Sequence, residues 1–350
     1  MRISRKKLFL ENFLAYGAIN ALDKIVPIVM LPVITRLLTD TADYGRFEMF
    51  NTIVGLGSAF AILGVYDAMF REYFEKDDAH YKSLVTSTAL KIVLVSGAVS
   101  ALLLIIFSKY VSTLFLGEAQ HWNIVVLAAL GVFMMALRAI VSAPTRMKNQ
   151  RKVYIFSGIS YSLIYYLTAL WLIKCGMSYM GMIYGNLVAS AYILILFSVM
   201  NRHDFSLKLF NYRVMLELLK LGIPLVPVFI IYWAFNSMDK IMISKMLGME
   251  EVGIYSIGAK VASVSTFIYA AFAGGWQYFA FSTMKDEDQV EVRSKIFEYL
   301  ALLSFTVYTL AIIFNRTIFN LFFEDSYLRG REVFPYLFLS PLLLMLFQTA

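Results

Sequence analysis

Cysteine is nearly absent from the chain: Cys175 stands alone, so no intrachain disulfide can form and the redox compartment is left open. Charge is scarce too, at 16% of residues against about 25% in a soluble domain, while 60% of residues are apolar. That balance excludes a soluble globular protein. The three histidines, His80, His121 and His203, lie far apart in the sequence, and no histidine or cysteine cluster has metal-ligand spacing. A Walker lysine loop and a G-x-S-x-G elbow are also missing, so neither metal, cofactor nor enzymatic chemistry is expected. The apolar runs lack the polar–apolar alternation of barrel strands, which excludes a β-barrel. The net charge is +7. In so apolar a chain this reflects basic loops on one side of a membrane rather than a nucleic-acid surface.

What remains is a polytopic helical membrane protein. Runs long enough to cross about 30 Å of hydrocarbon fall near 13–36, 47–67, 84–107, 122–143, 154–174, 179–200, 219–246, 252–276, 297–315 and 333–350. Lysine and arginine concentrate before the first run and in every second connection after it, which predicts a cytoplasmic N-terminus. The opposite connections, such as 39–45, 174–178 and 248–251, are too short to house a catalytic domain. Between the sixth and seventh runs, Phe205, Leu209 and Leu216 alternate with Lys208, Arg213 and Glu217, the composition of an amphipathic linker.

Two stretches begin on the same plan. Phe13–Ala61 and Leu219–Gly275 each hold a proline-containing run with internal charge, a short turn (ending at Tyr44-Gly45 in one, Gly248-Met249-Glu250-Glu251 in the other), and a second run. The prolines fall on runs related by a shift of six: Pro27 and Pro32 on the first, Pro224 and Pro227 on the seventh, Pro144 at the end of the fourth, Pro335 and Pro341 on the tenth. The expectation is an all-α fold of two six-helix lobes, a parallel repeat around a central cavity. Residues 1–200 form the first lobe, 201–218 the linker and 219–350 the second lobe. The last run reaches Ala350 without a polar anchor, so the second lobe reads as truncated. Proline bends a helix, which makes Pro27, Pro32, Pro224 and Pro227 candidate hinges.

A charge at mid-membrane costs at least ~2.5–3.5 kcal/mol and needs a cavity, a partner or an escape to the interface. Lys24, roughly 16 Å into its run, and Lys260, roughly 12 Å in, are the deepest by a rise of 1.5 Å per residue. Lys240 and Arg138 follow, with Asp23 and Asp239 as candidate coupling or ion-pair groups and Asn236 one turn from Lys240. Lys91 and Arg138 lie nearer the ends of their runs, and a long stem can carry either charge to the headgroups. The set is net cationic, which suits an anionic substrate such as a phosphate. A structural ion pair between helices is the rival reading for each. Trp122 and Tyr154, near span ends, read as interfacial anchors.

Leu31-Pro32-Val-Ile-Thr-Arg36, Tyr44-Gly45, Leu221-Gly-Ile-Pro224, Asp239-Lys-Ile-Met-Ile-Ser-Lys-Met-Leu-Gly248 and Val252-Gly-Ile-Tyr-Ser256 occur in that order. In this the chain resembles the polysaccharide-transporter branch of the multidrug, oligosaccharidyl-lipid and polysaccharide exporter superfamily, whose members include bacterial O-unit flippases. The resemblance implies alternating access of a central cavity that turns an undecaprenyl-diphosphate-linked oligosaccharide across the bacterial inner membrane for O-antigen, capsule or exopolysaccharide assembly. It implies a lipid-linked glycan, membrane lipids and other assembly proteins as partners, and assigns the diphosphate or acidic sugar to Lys24 and Lys260, then Lys240 and Arg138. Two alternatives stand beside it: a cation-coupled multidrug exporter of the same superfamily, which the basic cavity disfavours, and a membrane glycosyltransferase or polymerase, which the short loops disfavour.

Overall fold

A computed structural model describes residues 26–206, 208–282 and 288–349; Asp23 and Lys24 lie outside them. The helices are α1 (Val26–Leu37), α2 (Thr41–Ile62), α3 (Val65–Tyr73), α4 (Ala79–Ile106), α5 (Ser108–Leu116), α6 (Trp122–Met147) and α7 (Arg151–Leu172). There follow α8 (Tyr179–Met200), α9 (Tyr212–Gly222), α10 (Val226–Met246), α11 (Met249–Ala262), α12 (Ser265–Ser282), α13 (Gln289–Phe322) and α14 (Gly330–Thr349). No strand occurs among the described residues. Among the described residues, eight helical segments are long and apolar enough to cross a membrane, or nine with the bent pair α2–α3 taken as one span.

Short polar or glycine signals set the helix ends. Asp40 caps α2 by accepting from the Ala42 N–H at 2.8 Å, and Asp78 caps α4 from the Tyr81 N–H at 2.8 Å. Gly117, at φ +79°, ends α5. Gly248, at φ +95°, forms the tight link between α10 and α11.

Three boundaries differ from the sequence expectation. Tyr44 and Gly45 are not the end of a turn but lie within the opening of α2, because Asp40 caps the helix directly after α1. Met249, Glu250 and Glu251 likewise belong to α11, where two carboxylates in the first turn complement the helix dipole. Pro144 does not end its helix, which continues to Met147. The linker opens with a 3₁₀ turn at Arg202–Asp204 and is α-helical from Tyr212, where Asn211 caps by accepting from the Arg213 N–H at 2.8 Å; this helix runs on to Gly222 and buries Val214 and Leu218.

The molecule has two lobes. Helices α2, α4, α6, α7 and α8 pack on one another, and α10 through α14 form the second group around α11 and α14. α9 packs on α3 and α4 and so ties the linker to the first lobe. The lobes meet chiefly where α11 crosses α2. A Cβ on Gly45 would stand 2.2 Å from the Met249 carbonyl oxygen, and one on Gly253 would stand 2.0 Å from that of Thr41. Each helix therefore offers its partner the same pair of positions, the reciprocal pattern of a twofold contact. Only glycine permits so close an approach of two backbones.

Candidate functional site

Between the lobes lies a cavity of about 880 Å³. Its walls come from α2, α6, α7 and α8 on one side and from α10 and α11 on the other, with Pro27 of α1 at its edge. At one end the lobes are joined. The Tyr327 hydroxyl donates to the Leu38 carbonyl at 2.8 Å, Ser244 Oγ donates to the Phe115 carbonyl at 2.7 Å, and the Gly45–Gly253 crossing closes the middle. At the other end stand Tyr66, Asp67, Arg146 and Tyr154, on the side where the basic connections gather. Near that end one helix breaks and a second packs on the break. The α2–α3 pair bends by 46° at Leu63 and Gly64, and Gly222 at the end of α9 would place a Cβ 2.5 Å from the Leu63 carbonyl oxygen.

The first lobe supplies most of the polar lining. Tyr161 and Tyr165, one turn apart on α7, stack at 6.4 Å, and Tyr165 stacks on Phe47 at 6.5 Å. Arg138 of α6 lies over the Tyr161 ring at 5.1 Å, and the Asn186 amide donates to the Tyr161 hydroxyl at 3.3 Å. Among the described residues no carboxylate forms an ion pair with Arg138. Arg146 donates to the Tyr66 hydroxyl at 2.5 Å and faces the Tyr154 ring at 5.5 Å. Tyr154 therefore lines the cavity mouth rather than serving only as a membrane anchor. From the second lobe come Phe229, Tyr232 and Trp233, whose indole N–H donates across to the Thr52 carbonyl at 2.9 Å.

Near the closed end, Glu48 of α2 holds two lysines of the second lobe. Lys240 Nζ lies 2.8 Å from Oε2 and Lys260 Nζ 3.1 Å from Oε1. The sequence pairing of Lys240 with Asp239 or Asn236 is thus corrected. Adjacent helix positions diverge, so the Asp239 carboxylate accepts instead from the Tyr255 hydroxyl and the Lys240 backbone N–H, and Asn236 donates to the Tyr232 carbonyl at 2.6 Å. Lys260 and Arg138 line the cavity; Lys240 and Asp239 are not among its lining residues. Lys91 stands over the Phe210 ring at 5.4 Å, away from the cavity.

Pro27 and Pro32 lie on α1. Pro224 and Pro227 sit at the Ile223–Leu225 3₁₀ turn and the first turn of α10, within a helical stretch that runs on from Tyr212 to Met246. Glu48 is the principal residue that sequence reasoning missed. Placing the second span at 47 made it a terminal residue, whereas α2 begins at Thr41 and carries it roughly 10 Å inward at 1.5 Å per residue. A carboxylate within an apolar run was the available signal.

Residues 33–330 match the family model described as "Polysaccharide biosynthesis protein". Among solved structures, the chain is similar to a multidrug resistance MATE family transporter of the MOP superfamily in an inward-facing conformation. The TM-score is 0.63 at 13% identity, covering 94% of this chain and 84% of that one. A second, a MATE protein in a straight conformation, has a TM-score of 0.54 at 14% identity, with 96% and 82% covered. No curated protein sequence matches the chain. These likenesses give the fold: the two-lobed architecture of MOP-superfamily transporters.

Proposed function

Since the chain belongs to the polysaccharide biosynthesis protein family and is a multi-pass membrane protein with a transporter fold, we propose that it is a flippase, not an enzyme. Its cargo is an undecaprenyl-diphosphate-linked oligosaccharide, carried across a bacterial inner membrane by alternating access for O-antigen, capsule or exopolysaccharide assembly. The two lobes, 1–200 and 219–350, move about the 201–218 linker. The basic connections put the N-terminus and the cavity mouth in the cytoplasm, so the closed end faces outward.

One observation carries this reading: Arg138 stands in an aromatic cavity with no carboxylate partner among the described residues. A guanidinium in such a wall offers charge-assisted hydrogen bonds to phosphate oxygens, while tyrosine and tryptophan faces present flat apolar area with a polar edge, suited to sugar rings. Lys260 extends the cationic path toward the closed end, and Lys24, outside the described residues, is assigned to the same path. Among the described lining residues Asp67 is the one carboxylate, and it sits at the mouth. That lining favours an anionic cargo over the organic cations of the multidrug alternative.

Arg138→Ala is expected to lower polysaccharide export at least tenfold with the protein still present in the membrane, and Arg138→Lys to retain more than Arg138→Ala. Export measured on cells lacking the native gene decides. Normal export by Arg138→Ala overturns the assignment.

A further inference from the structure

Glu48, Lys240 and Lys260, near the closed end, are one charge cluster drawn from two lobes. Glu48 comes from the first lobe and both its partners from the second, so the lobes cannot separate there while the pairs persist. The three groups differ in access. The Glu48 side chain is 5% exposed and Lys240 18%, but Lys260 is 35% exposed and opens onto the cavity. Two ammonium groups converging on one buried carboxylate form the donor set that would hold a phosphate: each ammonium offers three donors, and together they carry one charge more than Glu48 neutralises.

We propose that Lys260 and Lys240 are an anion-binding site that Glu48 fills in this closed state, and that a diphosphate reaching the upper cavity takes Lys260 from Glu48 and so releases the closed end. The site deepens the transport reading above and rests on it for the identity of the cargo. Glu48 serves as an internal stand-in for the ligand. With the cavity empty the carboxylate keeps the lobes joined, since breaking the pairs would strand buried charge. With a diphosphate present the lysine at the cavity wall has a second acceptor of higher charge, and the cost of parting from Glu48 falls. Occupancy and opening thereby become one equilibrium.

The test is labelling of a cysteine placed at buried Ser244, which bonds across the lobes to Phe115. It uses Ser244→Cys with Cys175→Ala and a membrane-impermeant thiol reagent applied from the outer side. Adding Glu48→Gln should raise the labelling rate several-fold without any ligand. Glu48→Asp, which keeps the charge but shortens the reach, should give an intermediate rate and covers the case in which Glu48→Gln fails to fold. With Glu48 present, vesicles containing polyprenyl diphosphate should raise labelling; in Glu48→Gln the lipid should add nothing. Lys260→Met should abolish the lipid response. Inorganic pyrophosphate is the second probe: a response to both marks a site for any diphosphate, and a response to the lipid alone marks a headgroup site.

Labelling unaffected by either Glu48 substitution overturns the proposal, as does labelling that neither diphosphate raises in the parent. The readout requires no transport, so failure of the flippase reading, seen as normal export by Arg138→Ala, is registered separately.

Discussion

Gly45 and Gly253 are the residues at which the least chemical change should have the largest effect. A methyl group at either would lie within 2.2 Å of a backbone carbonyl on the other lobe, and a carbonyl in a helix cannot rotate aside as a side chain can. Gly45→Ala and Gly253→Ala should each cost about 1–3 kcal/mol by overpacking and shift the protein away from the closed state. Thermal unfolding in detergent should show a lowered Tm for both, and a control substitution of Gly176, which has open space around it, reports backbone strain without the clash. An unchanged Tm for Gly45→Ala would mean the crossing is looser than described.

At this scale the sequence was readable where depth alone decided. Lys260 was legible because a buried cation is conspicuous, and it lines the cavity; Arg138 lines it too, although its place nearer a span end left an escape to the headgroups open in the sequence. Glu48 is hidden in the sequence because the apolar run starts at 47, whereas α2 starts at Thr41. The partner of Lys240 was hidden because it lies 192 positions away in sequence, and helical periodicity carries no information about which distant helix will face it.

Among the elements, the breaks are as informative as the helices. The sequence placed the proline-bearing helices at the start of each lobe and expected bends there. The structure puts Pro224 and Pro227 where α9 passes through a 3₁₀ turn into α10, inside one helical stretch from Tyr212 to Met246, and the tighter turn accommodates the missing N–H groups. The α2–α3 break was not legible. Leu63 adopts φ +53°, unusual for a residue other than glycine, and Gly64 sits in an apolar stretch that reads as a continuing span. The break touches the last turn of α9 through Gly64 and Gly222, so a change in one is felt by the other. A hinge role predicts that Pro27→Ala with Pro224→Ala alters labelling of cysteines on both sides of the cavity, in a Cys175→Ala background. Unaltered labelling together with normal export leaves only a packing role for these prolines. Each proline substitution alone should change stability by less than about 1 kcal/mol where the backbone is already compatible.

For the molecule as a whole, composition and hydropathy sufficed for an all-helical membrane protein, and the repeated opening plan anticipated two lobes. Orientation rests on the basic connections and has a direct check. Cys175 is exposed in the turn between α7 and α8, opposite the basic side. An impermeant thiol reagent should label it on intact spheroplasts, and labelling seen only after permeabilisation would reverse the topology.

The reciprocal crossing of α2 and α11 also bears on how the chain came to be, and on how it could be taken apart. A contact in which each side presents the same two positions is the interface of a dimer, here enclosed within one polypeptide. α9 adds a second surface by which everything after the linker can recognise the first lobe. The peptide connection ahead of Asn211 then serves mainly to fix stoichiometry and raise the local concentration of one half around the other. Two separately translated halves already carry the surfaces by which they would find each other in a bilayer.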